Sequence, residues 1–412
     1  MRRTDVIIIG AGQAGLAMSH CLAHHGVDHV VLERGCTAER WRSERWDSLR
    51  LLTPNWMSRL PGWSYRGPDP DGYMTMPEVV RYLDSYAHAS GAPVETDTAV
   101  RVLRRVAGGY ALETSRGTWR ARAVVIATGQ CDLPRLPPMA RALPASIRQV
   151  TPSTYRNPRL LPQGGVLVVG ASASGVQLAE EIHRSGRPVM LAVGRHTRMP
   201  RTYRGRDIMA WMDRTGLLDE TAEQVRDLAW ARAQPSLQLV GRPDRHSLDL
   251  GVLHGMGVRV LGRAVGMDGT VLHLADDLPR TTAAAQRRLE RLLGRIDALA
   301  DAEGAPGEDW PSALDLPAPA PARLDLRAEG IRTVVWATGF RRDYGWLQVP
   351  VLDAQGEILH RGGITPSPGL YVLGLRFLRR RRSNFLDGVG TDAEELSWHI
   401  LGVLATPGRA AA

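Results

Sequence analysis

The sequence contains no lysine, although its 412 residues carry a formal net charge of +9. Its 52 permanently cationic side chains are therefore all arginines. Arginine codons are rich in G and C, so genome composition alone accounts for such a bias. The alternative is a function in binding phosphate, which guanidinium groups hold through paired hydrogen bonds. The densest run, Arg379–Arg382, has no interleaved aromatic residues. It therefore predicts a solvated face, and we expect no nucleic-acid partner.

Cysteine is also scarce, because only Cys21, Cys36 and Cys131 are present. Their wide spacing excludes a C-x-x-C pair, and with it a redox-active dithiol or a zinc knuckle. Clusters of histidine and carboxylate at metal-ligand spacing are missing too, so no metal site is predicted.

Long hydrophobic runs are absent as well. No apolar stretch approaches the ~18 residues that a membrane span requires. The basic N-terminus leads through a short apolar run into a glycine turn, which is not the pattern of a signal peptide. With 43% hydrophobic and 23% charged residues, the composition is typical of a globular protein of two or three domains. We expect a cytoplasmic protein without a membrane partner.

A glycine-rich turn follows the first apolar strand, in the stretch "VIIIGAGQAG". Gly10, Gly12 and Gly15 have G-x-G-x-x-G spacing, and the next residues have helical periodicity. A second strand then ends at Glu33, where an acid accepts hydrogen bonds from ribose hydroxyls. Glycines in this position allow a pyrophosphate to approach the N-terminus of the helix. This unit predicts a dinucleotide site.

A second turn of the same design occurs in the middle of the chain, in the stretch "VVGASASG". Gly170 and Gly175 flank it, while Ser172 replaces the middle glycine and offers a hydroxyl donor. Strand, turn, helix and strand again follow in order. The pattern predicts a second dinucleotide site, and a degenerate, empty Rossmann unit is the alternative.

The second unit differs from the first at the end of its second strand. Where the first unit has an acid, this one has Arg195, with Arg198 and Arg201 close behind. An acid would repel a 2′-phosphate, whereas an arginine attracts it. We therefore predict FAD in the first site and NADPH in the second, with hydride transfer between them.

Two apolar strands, "VVIATG" and "RTVVWATGF", end in the same three residues. We interpret each as a return of the chain from an inserted segment to a nucleotide domain. The predicted fold is α/β, with two Rossmann-type domains in a glutathione-reductase-like arrangement. An NADPH domain at 156–324 is inserted into an FAD domain at 1–155 and 325–412. A helical and Pro/Ala-rich segment near 280–322 either covers a substrate pocket or links the domains.

Taken together, the two glycine turns, the two A-T-G strands and "PGLYVLGL" resemble the class B flavin-containing monooxygenases over nearly the whole chain. The stretches "WRSERWDSLRLLTPNWMSRLPGW", "DPDGYMTMPEVVRYLDSYA", "YRGRDIMAW" and "DGVGTDAEEL" are similar to a bacterial subgroup of FAD- and NADPH-dependent oxidoreductases.

The resemblance implies which residues hold the cofactors. On the FAD side these are Gly10, Gly12, Gln13, Ala14, Glu33, Arg34, Trp41, Thr53, Asn55, Met76, Val100, Thr128 and Gly129. Thr338 and Gly339 would lie at the domain junction, and the NADPH side would use Gly170, Ser172, Ser174, Gly175 and Arg195. Asn55 is the one candidate catalytic residue. Trp41 as a core aromatic and Asn55 as a turn residue are the alternatives.

Two positions depart from the pattern of the resembled family. Tyr155 matches an aromatic of its identifying motif, but Thr151 stands where that motif has histidine, and Ala145 and Ile147 replace a Phe and a Gly. Leu52 stands where the eukaryotic-type enzymes have an asparagine near the flavin. Threonine is a poorer donor than histidine, so we expect NADP⁺ to be held less firmly.

The resemblance implies a monooxygenase that takes electrons from NADPH and oxygenates a small molecule with O₂ through a C4a-hydroperoxyflavin. We expect oxygenation at nitrogen, because the longer junction motif of Baeyer–Villiger monooxygenases is missing. A flavin oxidase or NADPH-dependent reductase, a Baeyer–Villiger monooxygenase and a redox-sensing flavoprotein are the alternatives. The substrate and the oligomeric state, a homodimer included, are left open.

Overall fold

The computed structural model describes residues 1–316 and 321–405. The helices are α1 (Gln13–His24), α2 (Glu39–Ser43), α3 (Met76–Ala89), α4 (Ala173–Arg184), α5 (Ile208–Arg214), α6 (Leu228–Arg232), α7 (Leu250–Gly255), α8 (Leu278–Ala302) and α9 (Val389–Ala405).

The strands of the first part of the chain are β1 (Arg2–Ile9), β2 (His29–Leu32), β3 (Arg59–Leu60), β4 (Trp63–Ser64), β5 (Val94–Glu95), β6 (Val100–Val106), β7 (Gly109–Thr114), β8 (Gly117–Ile126), β9 (Leu133–Pro134), β10 (Arg148–Val150) and β11 (Gly165–Val169). Those of the second part are β12 (Val189–Ala192), β13 (Thr202–Tyr203), β14 (Arg206–Asp207), β15 (Arg259–Leu261), β16 (Ala264–Asp268), β17 (Val271–Leu274), β18 (Arg323–Asp325), β19 (Ile331–Trp336), β20 (Phe340–Arg341), β21 (Leu347–Gln348) and β22 (Leu370–Val372).

The first sheet has the strand order β21-β6-β7-β8-β1-β2-β5, and β22 also pairs with β8. Its centre is parallel, because β1 pairs in parallel with both β2 and β8. The apolar half of β1 is fully buried, as expected for a parallel strand covered on both faces. Antiparallel β6, β7 and β8 form a meander that adds to this sheet. The first glycine turn joins β1 to α1.

The second sheet is parallel throughout, in the order β10-β19-β11-β12-β15. Every residue of β11 and β12 is buried, and the second glycine turn joins β11 to α4. The chain completes this sheet before it returns to the first sheet with β21 and β22. The predicted α/β fold, with one Rossmann-type unit inserted into another, is therefore confirmed.

One strand assignment from the sequence is wrong. Strand β19, which we assigned to the segment returning to the first domain, is hydrogen-bonded between β10 and β11 in the second sheet. Its apolar run suits a strand buried on both faces, and both sheets contain such strands, so composition does not distinguish them. We therefore propose that the second domain extends from about Arg148 to Trp336 rather than over 156–324.

A helical layer accompanies the second sheet. Helix α8 covers the predicted helix, and its buried residues recur every three or four positions from Ala285 to Ala300. Four of them, Leu289, Leu293, Ile296 and Ala300, pack in one apolar cluster with α5 and with Met57 of the first unit. The following stretch folds back along α8, where Gln286 donates to the Pro311 carbonyl and Trp310 to Asp297. The end of the predicted Pro/Ala-rich stretch, 317–320, lies outside the described residues.

None of the helices in the described ranges has the length and hydropathy needed to span a bilayer.

Candidate functional site

The first glycine turn has a backbone that only glycine permits at two positions. Gly10 has φ of +106°, and an added Cβ would lie 2.7 Å from the Ala127 carbonyl oxygen. A Cβ on Gly15 would lie 1.8 Å from the Gly10 carbonyl oxygen. These contacts bring β1, the start of α1 and the end of β8 together, so both glycines are required by packing within the protein itself.

Gly12 is different, because a Cβ built on it meets no atom within 4 Å. It is the N-cap residue of α1 and provides no side-chain cap for the first amides of the helix. The space in front of these amides is therefore open, and the helix N-terminus favours an anion there. This arrangement fits a pyrophosphate, as the sequence predicts.

Glu33 follows β2 and is buried at 8% exposure. Its Oε2 accepts a hydrogen bond from the Ala11 amide at 2.8 Å, and Oε1 accepts one from the Gly35 amide at 3.0 Å. A carboxylate has about four acceptor positions, so two remain for ribose hydroxyls. The two amides fix the carboxylate beside the turn, which suits its predicted role.

The second glycine turn repeats the first. Gly170 also has φ of +106°, and its Cβ would lie 2.4 Å from the Ala337 carbonyl oxygen. A Cβ on Gly175 would lie 1.8 Å from the Gly170 carbonyl oxygen. Ser172 is the N-cap residue of α4, yet its side chain makes no capping hydrogen bond. Its hydroxyl is therefore free to donate to a ligand at the helix N-terminus, where half-buried Ser174 also lies.

The three arginines after β12 do not act together. Arg198 is buried, pairs with Asp249 at 2.7 Å and donates to Gln286 at 2.6 Å. Arg201 has no exposed side-chain surface and pairs with Asp207. The structure thus gives Arg198 and Arg201 structural roles, contrary to a shared phosphate fork. Arg195 is exposed and has no hydrogen bond or ion pair with any residue the structure describes.

A different arginine lies beside Arg195. Arg288 of α8 donates to the His196 carbonyl at 2.8 Å, and its buried Nε has no partner among the described residues. Burial, Arg291 and Arg195 lower the pKa of the Arg288 guanidinium. Sequence reasoning missed Arg288, because it comes from a distant helix that folds back onto the end of β12. The only local signal was the Arg287–Arg288 doublet.

Arg263 adds a further cation to this edge. Its Cδ would lie 3.8 Å from a Cβ on Gly194, the residue before Arg195. It is half-exposed and pairs with Asp277 at 3.0 Å. The edge of the second sheet therefore presents a positive surface that suits a nucleotide phosphate.

Three predicted FAD residues gather at the start of α1. Gln13 accepts a hydrogen bond from Trp41 Nε1 at 3.2 Å and donates to the Asn384 carbonyl at 3.2 Å. Ala14 is buried, and its Cβ would lie only 2.7 Å from one built on Gly374. The structure thus brings α2 and the segment before α9 to the first turn. Trp41 is half-buried, so it is not simply a core aromatic.

Asn55 holds a loop in place. Its Nδ2 donates to the Asp69 carbonyl at 2.9 Å, and its Oδ1 accepts from the Met74 amide at 2.8 Å. It is 4% exposed. These bonds favour the turn interpretation of Asn55, and its catalytic role stays a prediction. Neighbouring Thr53 is half-buried, and Met76 is buried as the first residue of α3.

The remaining predicted residues lie at the edges of the site. Arg34 is half-exposed and pairs with Glu44 at 3.2 Å, and Val100 begins β6. Thr128 and Gly129 follow β8 directly, where Ala127 contacts the first turn.

Thr338 and Gly339 take part in the crossing between the two units. Thr338 donates to the Arg135 carbonyl, and the Gly339 carbonyl accepts from the Arg135 amide at 2.9 Å. Just beyond them, β20 pairs with β9. The two linkers between the units therefore run side by side. This geometry matches the position at the domain junction that the resemblance implied.

The departing motif residue Thr151 lies in a turn of its own. It is 8% exposed, and its Oγ1 lies 3.2 Å from Thr154 Oγ1. Its carbonyl accepts from the Tyr155 amide at 2.8 Å. Tyr155 is buried and donates to Glu181 at 3.0 Å, while burial raises the pKa of Glu181. Thr151 therefore fills a histidine position with a hydroxyl that is already bonded locally.

The cysteines do not form a dithiol centre. None is in a disulfide in the part of the chain that the structure describes, and burial raises the pKa of the Cys21 thiol to about 12. Within the same residues, no three His, Cys, Asp or Glu side chains are arranged to hold a metal ion.

Comparisons with known proteins show the family of this chain. A model of the pyridine nucleotide-disulphide oxidoreductase family matches residues 7–213. An uncharacterized CzcO-like oxidoreductase of Geobacillus kaustophilus (strain HTA426) is 33% identical over 400 residues, covering 96% of this chain and 98% of that protein. The indole-3-pyruvate monooxygenase YUCCA1 of Oryza sativa subsp. japonica is 31% identical over 194 residues, covering 44% of this chain and 45% of that protein.

A solved structure shares the fold along the whole chain. The flavin-containing monooxygenase from Stenotrophomonas maltophilia superposes with a TM-score of 0.68 at 19% identity, covering 98% of this chain and 100% of that one. The resemblance to flavin-containing monooxygenases is thus confirmed at the level of fold, and the chain is an oxidoreductase. Its sequence and its paired nucleotide turns place it in the pyridine nucleotide-disulphide oxidoreductase family.

Proposed function

We propose that the protein is an FAD-dependent, NADPH-consuming monooxygenase that oxygenates a small molecule, at nitrogen in preference to carbon. The observation that carries this proposal is the pair of matching glycine turns on two sheets, joined by two adjacent linkers. Two nucleotide sites in one chain serve electron transfer from one cofactor to the other. The fold shared with flavin-containing monooxygenases supports oxygen as the final acceptor.

The residues of the chain fit both cofactors. The backbone amides at the start of α1, which face the open space at Gly12, would hold the FAD pyrophosphate. The Glu33 carboxylate, fixed beside the turn, would accept hydrogen bonds from the ribose. The start of α4 with Ser172 would hold the second nucleotide. When bound, FAD accepts a hydride from NADPH and then activates O₂.

NADPH preference is part of the proposal. Among the residues that the structure describes, the Arg195 guanidinium after β12 has no hydrogen bond or ion pair, and the neighbouring Arg288 has a buried Nε without a partner. Both are available to a 2′-phosphate, which carries acceptors that NADH lacks. Arg198 and Arg201 do not contribute, because their guanidinium groups are committed to Asp249 and Asp207.

Oxygen labelling tests the monooxygenase proposal. Holoenzyme is given NADPH and ¹⁸O₂ with a panel of primary and tertiary amines, sulfides and ketones, and products are analysed by mass spectrometry. We expect one labelled oxygen atom in a hydroxylamine or N-oxide. A labelled ester from a ketone would replace nitrogen oxygenation with Baeyer–Villiger chemistry.

A flavin oxidase is the second candidate, and Thr151 favours it. Its hydroxyl is bonded within its own turn and is never cationic, so NADP⁺ is held less firmly at the junction. We expect appreciable release of H₂O₂ even from a working monooxygenase. Hydrogen peroxide equal to the NADPH consumed, with no label in any product, would leave the oxidase as the function.

A further inference from the structure

Two arginines face each other where the segment after β22 meets α6. Arg376, which follows β22, donates through Nη1 to the Gln234 carbonyl and, at 3.4 Å, to the Arg232 carbonyl. Arg232, at the end of α6, donates through Nη2 to the Phe377 carbonyl at 2.9 Å. Each guanidinium is thus bound to the backbone of the other's segment. The pairing fixes both cations at one place.

A third arginine joins them from the linker side. Arg342 follows β20 and pairs with Glu357. Burial and the positive charge of Arg342 together lower the pKa of the Arg232 guanidinium. The same neighbour also lowers the pKa of Arg376, after burial. We call Arg232, Arg342 and Arg376 the junction arginine cluster.

The cluster is under-neutralised. Among the residues described, neither Arg232 nor Arg376 has a carboxylate within ion-pair distance, and Glu357 pairs with Arg342 alone. By contrast, the buried Arg198 and Arg201 are paired with Asp249 and Asp207. A partly buried cation without a counter-ion is costly. In the described chain, two of the three arginines of the cluster therefore have no anionic partner.

Unpartnered donors occur on Arg232 itself and on Tyr344, two residues after Arg342. Arg232 Nε and the Tyr344 hydroxyl are both buried without a hydrogen-bond partner in the described chain. Tyr344 is only 4% exposed, and the charge of Arg342 partly offsets the effect of burial, which raises the pKa of its phenol. Nearby His360 adds no charge at neutral pH, because burial, Arg232 and Arg342 lower its pKa to about 4. The site thus offers free donors and excess positive charge.

We propose that the junction arginine cluster binds a carboxylate group of the small-molecule substrate. A planar carboxylate matches guanidinium forks and accepts from a phenol as well. The phosphates of the two nucleotides already have positions at the starts of α1 and α4, so the cluster is available to the substrate. This inference rests on the proposed function, because it assigns a substrate class to that enzyme.

Isothermal titration of FAD-loaded protein with matched probes tests the proposal. The probes are acetate and phenylacetate, with acetamide and phenylacetamide as neutral counterparts at constant ionic strength. We expect at least one carboxylate to bind at least tenfold more tightly than its amide. Arg376→Gln and Arg232→Gln should each weaken carboxylate binding by tenfold or more, while Arg376→Lys, which keeps the charge, should lose less.

Arg379→Gln is the matched control, because Arg379 lies three residues away and is already paired with Glu395 at 2.6 Å. It should leave carboxylate affinity as in the wild type. Equal affinity for carboxylate and amide, or no binding of either carboxylate, would overturn the proposal. A parallel loss of NADP⁺ affinity in Arg376→Gln would assign the cluster to the nucleotide and also overturn it. Failure of ¹⁸O labelling would refute the monooxygenase but leave these binding results unchanged.

Discussion

The two glycine turns have the same backbone. Gly10 and Gly170 share φ of +106°, and Gly15 and Gly175 each approach a carbonyl so closely that a Cβ would lie 1.8 Å from it. Such contacts arise only when strand, turn and helix pack in one particular way. The backbone geometry is therefore the same in both units, and it does not distinguish one nucleotide from another.

The side chains around the turns distinguish them. The first turn has Gly12 before its helix and Glu33 at the end of the next strand, whereas the second has Ser172 and Arg195. Glu33 is fixed by two backbone amides, while Arg195 has no partner in the described residues. An anchored acceptor suits neutral ribose hydroxyls, and a free cation suits a phosphate that arrives with the ligand. We therefore predict that the choice of nucleotide depends on Glu33 and Arg195, two positions outside the glycine motif.

Gly12→Val should have the largest effect. The new side chain meets no protein atom, so the fold should persist, but it fills the space that the pyrophosphate needs. We expect folded, colourless protein that does not take up added FAD, measured by circular dichroism and by flavin absorbance per chain. Gly307→Val, at another glycine with open space around it, is the control and should remain yellow. A yellow Gly12→Val variant would contradict the assignment of this turn to FAD.

Glu33→Gln should weaken FAD binding without abolishing it. Glutamine keeps one acceptor oxygen, but its NH2 group cannot accept from the second backbone amide, and hydrogen bonds to a charged group contribute about 1.5–3 kcal/mol. FAD affinity should therefore fall roughly 10- to 100-fold, as read from quenching of FAD fluorescence during titration of the apoprotein. Glu113→Gln, in an ion pair on the meander strand β7, should change nothing. Unaltered affinity in Glu33→Gln would show that the carboxylate does not contact the ribose.

Arg195→Ala tests whether the second site distinguishes NADPH from NADH. Loss of a charge-assisted phosphate contact should raise the KM for NADPH about tenfold or more, while the KM for NADH changes little. Arg288→Ala should act in the same direction, and the double variant should approach equal use of both nucleotides. Arg259→Ala, which removes an arginine paired with Glu329 on the same sheet, is the control. Equal losses for NADPH and NADH would show that Arg195 does not read the 2′-phosphate.

Local spacing was sufficient to predict the two turns, because a glycine motif between strand and helix involves only neighbouring residues. Glu33 was predictable for the same reason. The positions of Arg198, Arg201 and Arg288 were not, since they depend on how α8 and the segment after β12 fold back onto the sheet.

Strand β19 could not be assigned to the correct sheet from its sequence. Its residues would be equally well buried in either sheet, and only pairing with β10 and β11 assigns it to the second. The junction arginine cluster could not be predicted from the sequence either, because its three arginines come from separate segments of the chain. Side chains that act through distant partners are therefore the part of the site that only the fold reveals.

Tyr73→Phe should have the smallest effect. It tests whether Arg201, which contacts both units, acts separately from Arg195, which we propose binds the 2′-phosphate. Tyr73 of the first unit donates to Asp207 at 2.6 Å and lies under the Arg201 guanidinium, 5.0 Å from its ring centroid. Arg201 in turn donates to the Leu52 carbonyl at 2.8 Å. Loss of the hydroxyl leaves Asp207 paired with Arg201, so we expect a destabilisation of about 1 kcal/mol.

This loss should lower the thermal midpoint by no more than a few degrees, measured by calorimetry on holoenzyme, because a chain of this size has a large unfolding entropy. The ratio of NADPH to NADH use should stay at the wild-type value, since the Tyr73–Asp207–Arg201 contact does not involve Arg195. Arg201→Lys, which keeps the cation but loses the paired donors, should also leave that ratio unchanged while lowering the midpoint further. A shift of the ratio toward NADH in either variant would mean that phosphate reading extends to the contact between the units.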